Sequence, residues 1–253
     1  PAQFVRFRLL NGSNARIYNF GFSDDRRFHQ IGTDGGLLER PVPLTRLRLS
    51  TGERAEILVD FSGEENSQVR LVSYSSELDN INAFWNSDAL DGSIIDLMTI
   101  VVKAATANAI TTLPASLASI NRLQEAQAIR TRTFELDMGF SGPMKINGVS
   151  MDMNRIDQAV HLDDTEIWEI TNNSDMPQPF HIHDIQFLIL TRDGSQPPEN
   201  ESGWKDTVLV MPRETVRFIT HFSDFSDPVN PYMFHCHILE HEDAGMMGQF
   251  VVV

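Results

Sequence analysis

Two short runs near one end of the chain hold the residues whose types and spacing could do chemistry. His181 and His183 stand two apart in PFHIHDIQF, and His235 and His237 stand two apart in HCHILEHEDAGMMGQF. On a strand, side chains of period two leave the same face, so each pair can reach one metal cluster. Cys236, between the second pair, faces the opposite way, and a single strand would then serve two sites. After Cys236 come four residues, His241, four more residues and Met246. A thiolate, an imidazole and a thioether across one loop suit copper, whose blue centres combine His and Cys with a long axial Met. Structural zinc sites use Cys and His and do not recruit a thioether. One HxH pair alone is a weak signal, and a lone Met is ordinarily core filler. Two pairs, with Cys inside one and His and Met at fixed offsets after it, form a specific pattern.

The elements that must position these residues read as strands. Short apolar or alternating runs recur between turn signals at 5–10, 15–22, 44–49, 55–61, 69–74 and 94–102. They continue at 133–137, 166–171, 180–190, 207–210, 215–222, 232–239 and 249–253. Many short strands without long helical periodicity predict an all-β chain of tandem antiparallel β-sandwiches. Residues 103–132 are rich in Ala, Thr, Ser and Asn, hold Pro114 and contain one short helix candidate at 119–129. That segment reads as a surface connection between a domain at 1–102 and a domain at 133–253.

The halves also echo one another. FRLLNGSNARIYNF lies beside WEITNNSDMPQPFHIH, and STGERAEILVDF beside MPRETVRFITHF, in the same order. One fold is predicted twice, with the HxH histidines in the second copy alone.

Composition bounds the rest. Twenty Lys and Arg against 35 Asp and Glu give a net charge of −15, which repels a phosphate backbone and excludes a nucleic-acid partner. No run approaches the roughly 20 apolar residues of a membrane span, and PAQFVRFRLL lacks the pattern of a secretory signal. The single cysteine excludes an internal disulfide.

PFHIHDIQF and HCHILEHEDAGMMGQF resemble the two C-terminal copper motifs of multicopper oxidases, a group that includes laccases and bacterial cuprous oxidases. GWKDTV at 203–208 fits the same domain, and RLLNGSNAR and GTDGGLL extend the resemblance upstream. It implies cupredoxin-like Greek-key sandwiches, with part of a second domain at 1–102 and all of a third at 133–253. It also implies that Cys236, His241 and Met246 hold a type 1 copper that takes single electrons from a small reducing substrate. His235 and His237 would bind a trinuclear cluster, His183 would join them at the type 3 pair, and His181 would bind the type 2 copper. Dioxygen would be reduced to water there, with the carboxylate of Glu242 helping to deliver protons. A location in the periplasm or outside the cell follows from the same resemblance.

The chain departs from the family pattern in two respects. Where the family has a second type 1 histidine, three residues before the type 2 ligand, this chain has Gln178. An amide oxygen is a harder and poorer copper ligand, and is expected to weaken or alter the site. The family also has a first cupredoxin domain with four further cluster histidines. These are expected from an N-terminal partner domain of the same precursor or a separate chain, since His29, His161 and His221 stand alone. A methionine-rich insertion found in some cuprous oxidases is absent, and Met138, Met144, Met151, Met153 and Met176 read as core residues. The open type 1 site favours laccase-like breadth toward phenolic or metal reductants. The alternative is a copper-binding or structural cupredoxin-fold protein without oxidase turnover, motivated by Gln178 and the absent first domain.

Overall fold

Alternating burial along short segments makes nearly every element a strand. The computed structural model describes residues 1–78, 90–138 and 144–253, and two compact units are formed, Pro1–Gly12 with Arg16–Ile120 and Ser13–Ala15 with Asn121–Val253. In the first unit, β1 (Phe4–Leu10), β6 (Arg54–Asp60), β3 (Phe28–Thr33) and β4 (Gly36–Leu44) form one sheet in that order. A second sheet holds β5 (Leu47–Leu49), β2 (Tyr18–Phe22), β7 (Gln68–Tyr74) and β8 (Ile94–Val101). Phe22, Phe28, Ile57, Val59 and Phe61 fill its core. Residues 103–120 hydrogen-bond along this unit, with Lys103 O accepting from Ala2 N, Ile110 O from Phe4 N, and Glu39 O from Leu117 N.

The second unit carries the chemistry-bearing runs on two five-stranded sheets. One has the order β10 (Lys145–Ile146), β9 (Arg130–Asp137), β12 (Thr165–Asn172), β16 (Thr215–His221), β14 (Phe187–Arg192). The other runs β11 (Gln158–Val160), β18 (Met247–Val252), β17 (Asp227–Cys236), β13 (Gln178–Ile182), β15 (Thr207–Val210). Most neighbours are antiparallel, while β9 with β12 and β11 with β18 are parallel.

Trp168 is fully buried at the centre of this unit's core. It stacks on Phe134 at 4.5 Å and meets Phe234 and Phe250 edge-on. Its indole N–H donates to Glu166, which Arg132 pairs at 2.6 Å, so the polar edge is satisfied. Trp168→Ala is expected to lower unfolding stability by about 3–5 kcal/mol, read from urea denaturation; a loss under about 1 kcal/mol contradicts this placement.

Four local expectations are corrected. The run 180–190 is two strands in different sheets, because Asp184 takes a positive φ of 74° and Ile185 N turns back onto His183 O. The run 232–239 leaves the sheet after Cys236 and closes into the one-turn helix α1 (Leu239–Asp243). The helix candidate at 119–129 reduces to a 3-10 turn at Glu125–Gln127, since so short a segment cannot repay helix nucleation and Ile129 N already donates to Thr165 O beside β9. Finally, β3 and β4 are strands beyond the runs expected from sequence, because Gly32, Gly36, Pro41 and Pro43 interrupt their alternation.

The internal repeat has a hydrogen-bond basis. Buried Asn11 follows β1 and buried Asn172 ends β12; each donates its side-chain amide to a carbonyl of the following turn and to one of a neighbouring strand, Leu49 or Val210. Glu53 and Glu214 likewise cap equivalent turns, through Ser50 N and Met211 N.

Candidate metal centre

The ladder between β13 and β17 pairs Phe180 with Cys236, His181 with His235 and Ile182 with Phe234. Successive side chains alternate across the sheet, so Phe180, Cys236, Ile182 and Phe234 cannot all share a face with the two histidines. Phe180 and Cys236 enter the apolar core, while His181 and His235 meet on the other side with ring centroids 5.4 Å apart. The backbone pairing persists beyond both strand ends, because His183 N donates to Met233 O and His237 N to Pro179 O. His183 and His237 are thereby carried to the same side.

Four imidazoles gather there. His181 lies 5.0 Å from His183 and 5.7 Å from His237, centroid to centroid, and His235 lies 5.4 Å from His183 and 5.6 Å from His237. Ring nitrogens of His181, His183 and His235 lie within 4.8 Å of one another. Backbone carbonyls fix two of the tautomers. His181 Nδ1–H donates to Asp206 O at 2.9 Å with Thr207 Oγ1 alongside, and His235 Nδ1–H donates to Cys236 O at 2.9 Å with Glu242 Oε2 at 3.3 Å. Each ring then presents an Nε2 lone pair, and His235 Nε2 faces His183 Nε2 at 3.3 Å. Orienting partners of this kind are what metal-bound imidazoles require.

Burial keeps these rings neutral. It pushes His181 down to about 4, and His183 and His235 also below the usual range, with neighbouring imidazoles adding in the same direction. Neutral rings are the ligating form. The folded metal-free protein refuses a proton at His181 that the unfolded chain accepts near 6.5, so stability falls as pH drops through that window. The contribution is about 2 kcal/mol at most between pH 6.5 and 4.5. Urea unfolding of wild type and His181→Gln at both pH values checks this: the wild type should lose more, and equal losses contradict it.

On the core side of β17 a different donor set converges. Cys236 Sγ lies 3.6 Å from His241 Nδ1; Gln178 Oε1 lies 3.0 Å from the sulfur and 2.9 Å from the same ring nitrogen. Burial raises the thiol pKa well above its ordinary value. The loop that returns these residues is closed by Ile238 N on Cys236 Sγ, Met246 N on His241 O and Cys236 N on Met246 O. Gly245 permits that return, with a φ of 97° and with its missing Cβ position 3.0 Å from Ser150 Cβ. Met246 is fully buried in the cluster that holds Cys236. His241 Nε2 is buried with no hydrogen-bond partner, while its Nδ1 faces Gln178 Oε1 at 2.9 Å.

Both donor sets fit copper by their chemistry: imidazoles alone on one face, thiolate, imidazole and thioether on the other. The second set holds an amide where a second imidazole is expected. Glu242, a candidate proton donor by sequence, stands against His235. His221 bonds to Thr165 Oγ1, and among the described residues no further group of three metal-ligating side chains converges. Sequence reasoning missed Asp206 and Thr207, although both lie in GWKDTV, and missed Ser174, although it stands only four residues before Gln178.

Fold and site together define a β-sandwich protein of the cupredoxin kind with a candidate metal centre. The chain belongs to the multicopper oxidase family, whose model matches residues 115–253. It is 36% identical over 252 residues to the multicopper oxidase mco of Staphylococcus haemolyticus, covering 98% of this chain and 48% of that protein. It is 34% identical over 252 residues to the cell division protein FtsP of Photorhabdus laumondii, covering 99% and 51%. Among solved structures, the laccase-like multicopper oxidase CueO of an Ochrobactrum species, with oxidase activity towards lignin model compounds, superposes with a TM-score of 0.88 at 38% identity, over 100% of this chain and 56% of that one. The chain thus spans about half the length of the curated relatives it matches. No helix among the described residues is long and apolar enough to cross a membrane.

Proposed function

We propose that the chain carries the C-terminal copper sites of a laccase-like multicopper oxidase, which couples one-electron oxidation of phenolic or metal reductants to reduction of dioxygen to water. The observation that carries this reading is the pair of donor sets back to back on β17, joined through the peptide bonds on either side of Cys236. Copper bound there supplies the electron transfer and the dioxygen chemistry. Cys236, His241 and Met246 hold the type 1 ion, and His181, His183, His235 and His237 hold their share of the trinuclear cluster. Four further histidines come from an N-terminal cupredoxin domain, of the same precursor or a separate chain.

The protein's own part is orientation and proton handling. Asp206 O and Cys236 O fix the His181 and His235 rings with Nε2 outward. Glu242, 3.3 Å from His235 Nδ1, is placed to pass a proton toward the cluster face. The site works in the periplasm or outside the cell, as the family resemblance implies.

Turnover tests the reading. The copper-loaded full-length protein should consume dioxygen with a substituted phenol, and appreciable turnover with cuprous ion alone, with none for the phenol, contradicts the laccase-like breadth. A second reading, a copper-binding or structural protein without turnover, is favoured by Gln178 in the type 1 site and by the similarity to proteins named for cell division. Copper binding without dioxygen consumption for any reductant selects it.

A further inference from the structure

The amide of Gln178 is held in one orientation by the turn beneath it. Asn172, fully buried at the end of β12, donates its side-chain N–H groups to Met176 O at 2.7 Å and Val210 O at 3.0 Å. Its Oδ1 therefore faces Ser174, accepting from Ser174 N at 2.9 Å and from Ser174 Oγ at 2.7 Å. The alternative acceptor for the hydroxyl proton, Met176 O at 3.0 Å, leaves the same result. In either case the serine oxygen presents lone pairs to Gln178, and the atom that meets it at 3.1 Å must be Nε2. The other amide proton points at Met138 Sδ, 3.2 Å from the same nitrogen. With both protons committed, Oε1 is the atom left facing Cys236 Sγ and His241 Nδ1. Asn11 and Ser13 after β1 stand where Asn172 and Ser174 stand at the end of β12, so the asparagine–serine spacing is common to both copies of the repeat, and Gln178 is what the second adds beside it.

We propose that Gln178 is a metal donor whose Oε1 completes the centre formed by Cys236 Sγ, His241 Nδ1 and Met246, and that Ser174 is the positioning residue that turns this oxygen inward. The inference rests on the copper reading above and deepens it. Two physical consequences follow. An amide oxygen is a harder and weaker donor to copper than an imidazole. Without metal, the same oxygen accepts from both the thiol and the ring N–H, so binding must displace two hydrogen bonds inside the core. The centre therefore takes up copper less tightly than a two-histidine site, and more tightly than one with no donor at this position.

Titration of the full-length metal-free protein with cupric ion alone, buffered by a chelator, tests this through the thiolate-to-copper absorption and the electron spin resonance of that copper. Gln178→His should tighten uptake at least about tenfold, and Gln178→Leu should weaken it at least about tenfold, on the scale by which site partners tune metal affinity. Ser174→Ala frees the amide to turn; it should weaken uptake about tenfold and shift the band, and Ser174→Thr should restore both. If Gln178→Leu binds like wild type, the oxygen is no donor and the proposal falls. If Ser174→Ala leaves band and affinity unchanged, the positioning role falls. A band that appears in Gln178→His but in neither wild type nor Gln178→Leu overturns the donor assignment and favours the second reading, a cupredoxin fold without a type 1 copper of its own, whereas a wild-type band that Gln178→Leu retains unchanged overturns the donor assignment alone. No band in any of the proteins, Gln178→His included, rejects the oxidase reading and the proposal with it.

Discussion

Cys236→Ser is expected to abolish the thiolate-to-copper absorption and to lower dioxygen consumption at least about 100-fold, while copper at the histidine face is retained. The magnitude follows from the roughly 10- to 100-fold effects that outer partners alone exert on metal sites, which a direct ligand must exceed. Hydroxyl and thiol are near in size, and Cys236 sits against Phe180 in a core that serine fills with little rearrangement. The buried hydroxyl can still donate to Gln178 Oε1, as the thiol does at 3.0 Å. Loss of activity with the fold preserved is thus the expected pattern, checked by circular dichroism beside the absorption spectrum. A serine variant that keeps the band contradicts the assignment of the sulfur.

The complementary change is His181→Ala. Its ring, like that of its ladder partner His235, meets both His183 and His237, so its loss opens the middle of the cluster. Dioxygen consumption should again fall at least about 100-fold. Here the thiolate-to-copper band should survive and bleach on addition of reductant, since the Cys236 donors lie on the other face of β17. The two variants therefore separate the faces: one loses the band, the other keeps it, and both lose turnover. Loss of the band in His181→Ala would mean that the sites do not stand independently.

Much of this arrangement was legible in the residues. The spacing of two in HIH and HCH is the period of a strand, and the ladder placed both pairs on one side with Cys236 opposite, because that alternation is enforced by backbone geometry wherever the strand forms. The repeat was legible because the same asparagine and glutamate close the same turns in both units. Other features were hidden for physical reasons. The break after Ile182 depends on a single positive φ at Asp184, which an apolar run such as FHIHDIQFLIL does not disclose. The run 232–239 reads as a strand to its end, whereas the chain leaves the sheet after Cys236 and α1 turns His241 back toward the sulfur. Strands β3 and β4 escaped because glycine and proline interrupt their alternation, yet their pairing survives around an irregularity between Gln30 and Gly32. Ser174 and Asp206 are ordinary polar residues in sequence; Ser174 meets Gln178 within a turn of four residues whose geometry the sequence does not disclose, and only folding brings Asp206 to His181.

The central claim is that β17 holds copper on both of its faces. The most direct test is copper content together with the visible and electron spin resonance spectra of the full-length protein after reconstitution with cupric ion. The account predicts an intense thiolate-to-copper band from a mononuclear centre, with additional copper that survives in Cys236→Ser and is lost in His181→Ala. Protein that binds no copper, or that binds it without any thiolate-to-copper band, would contradict it.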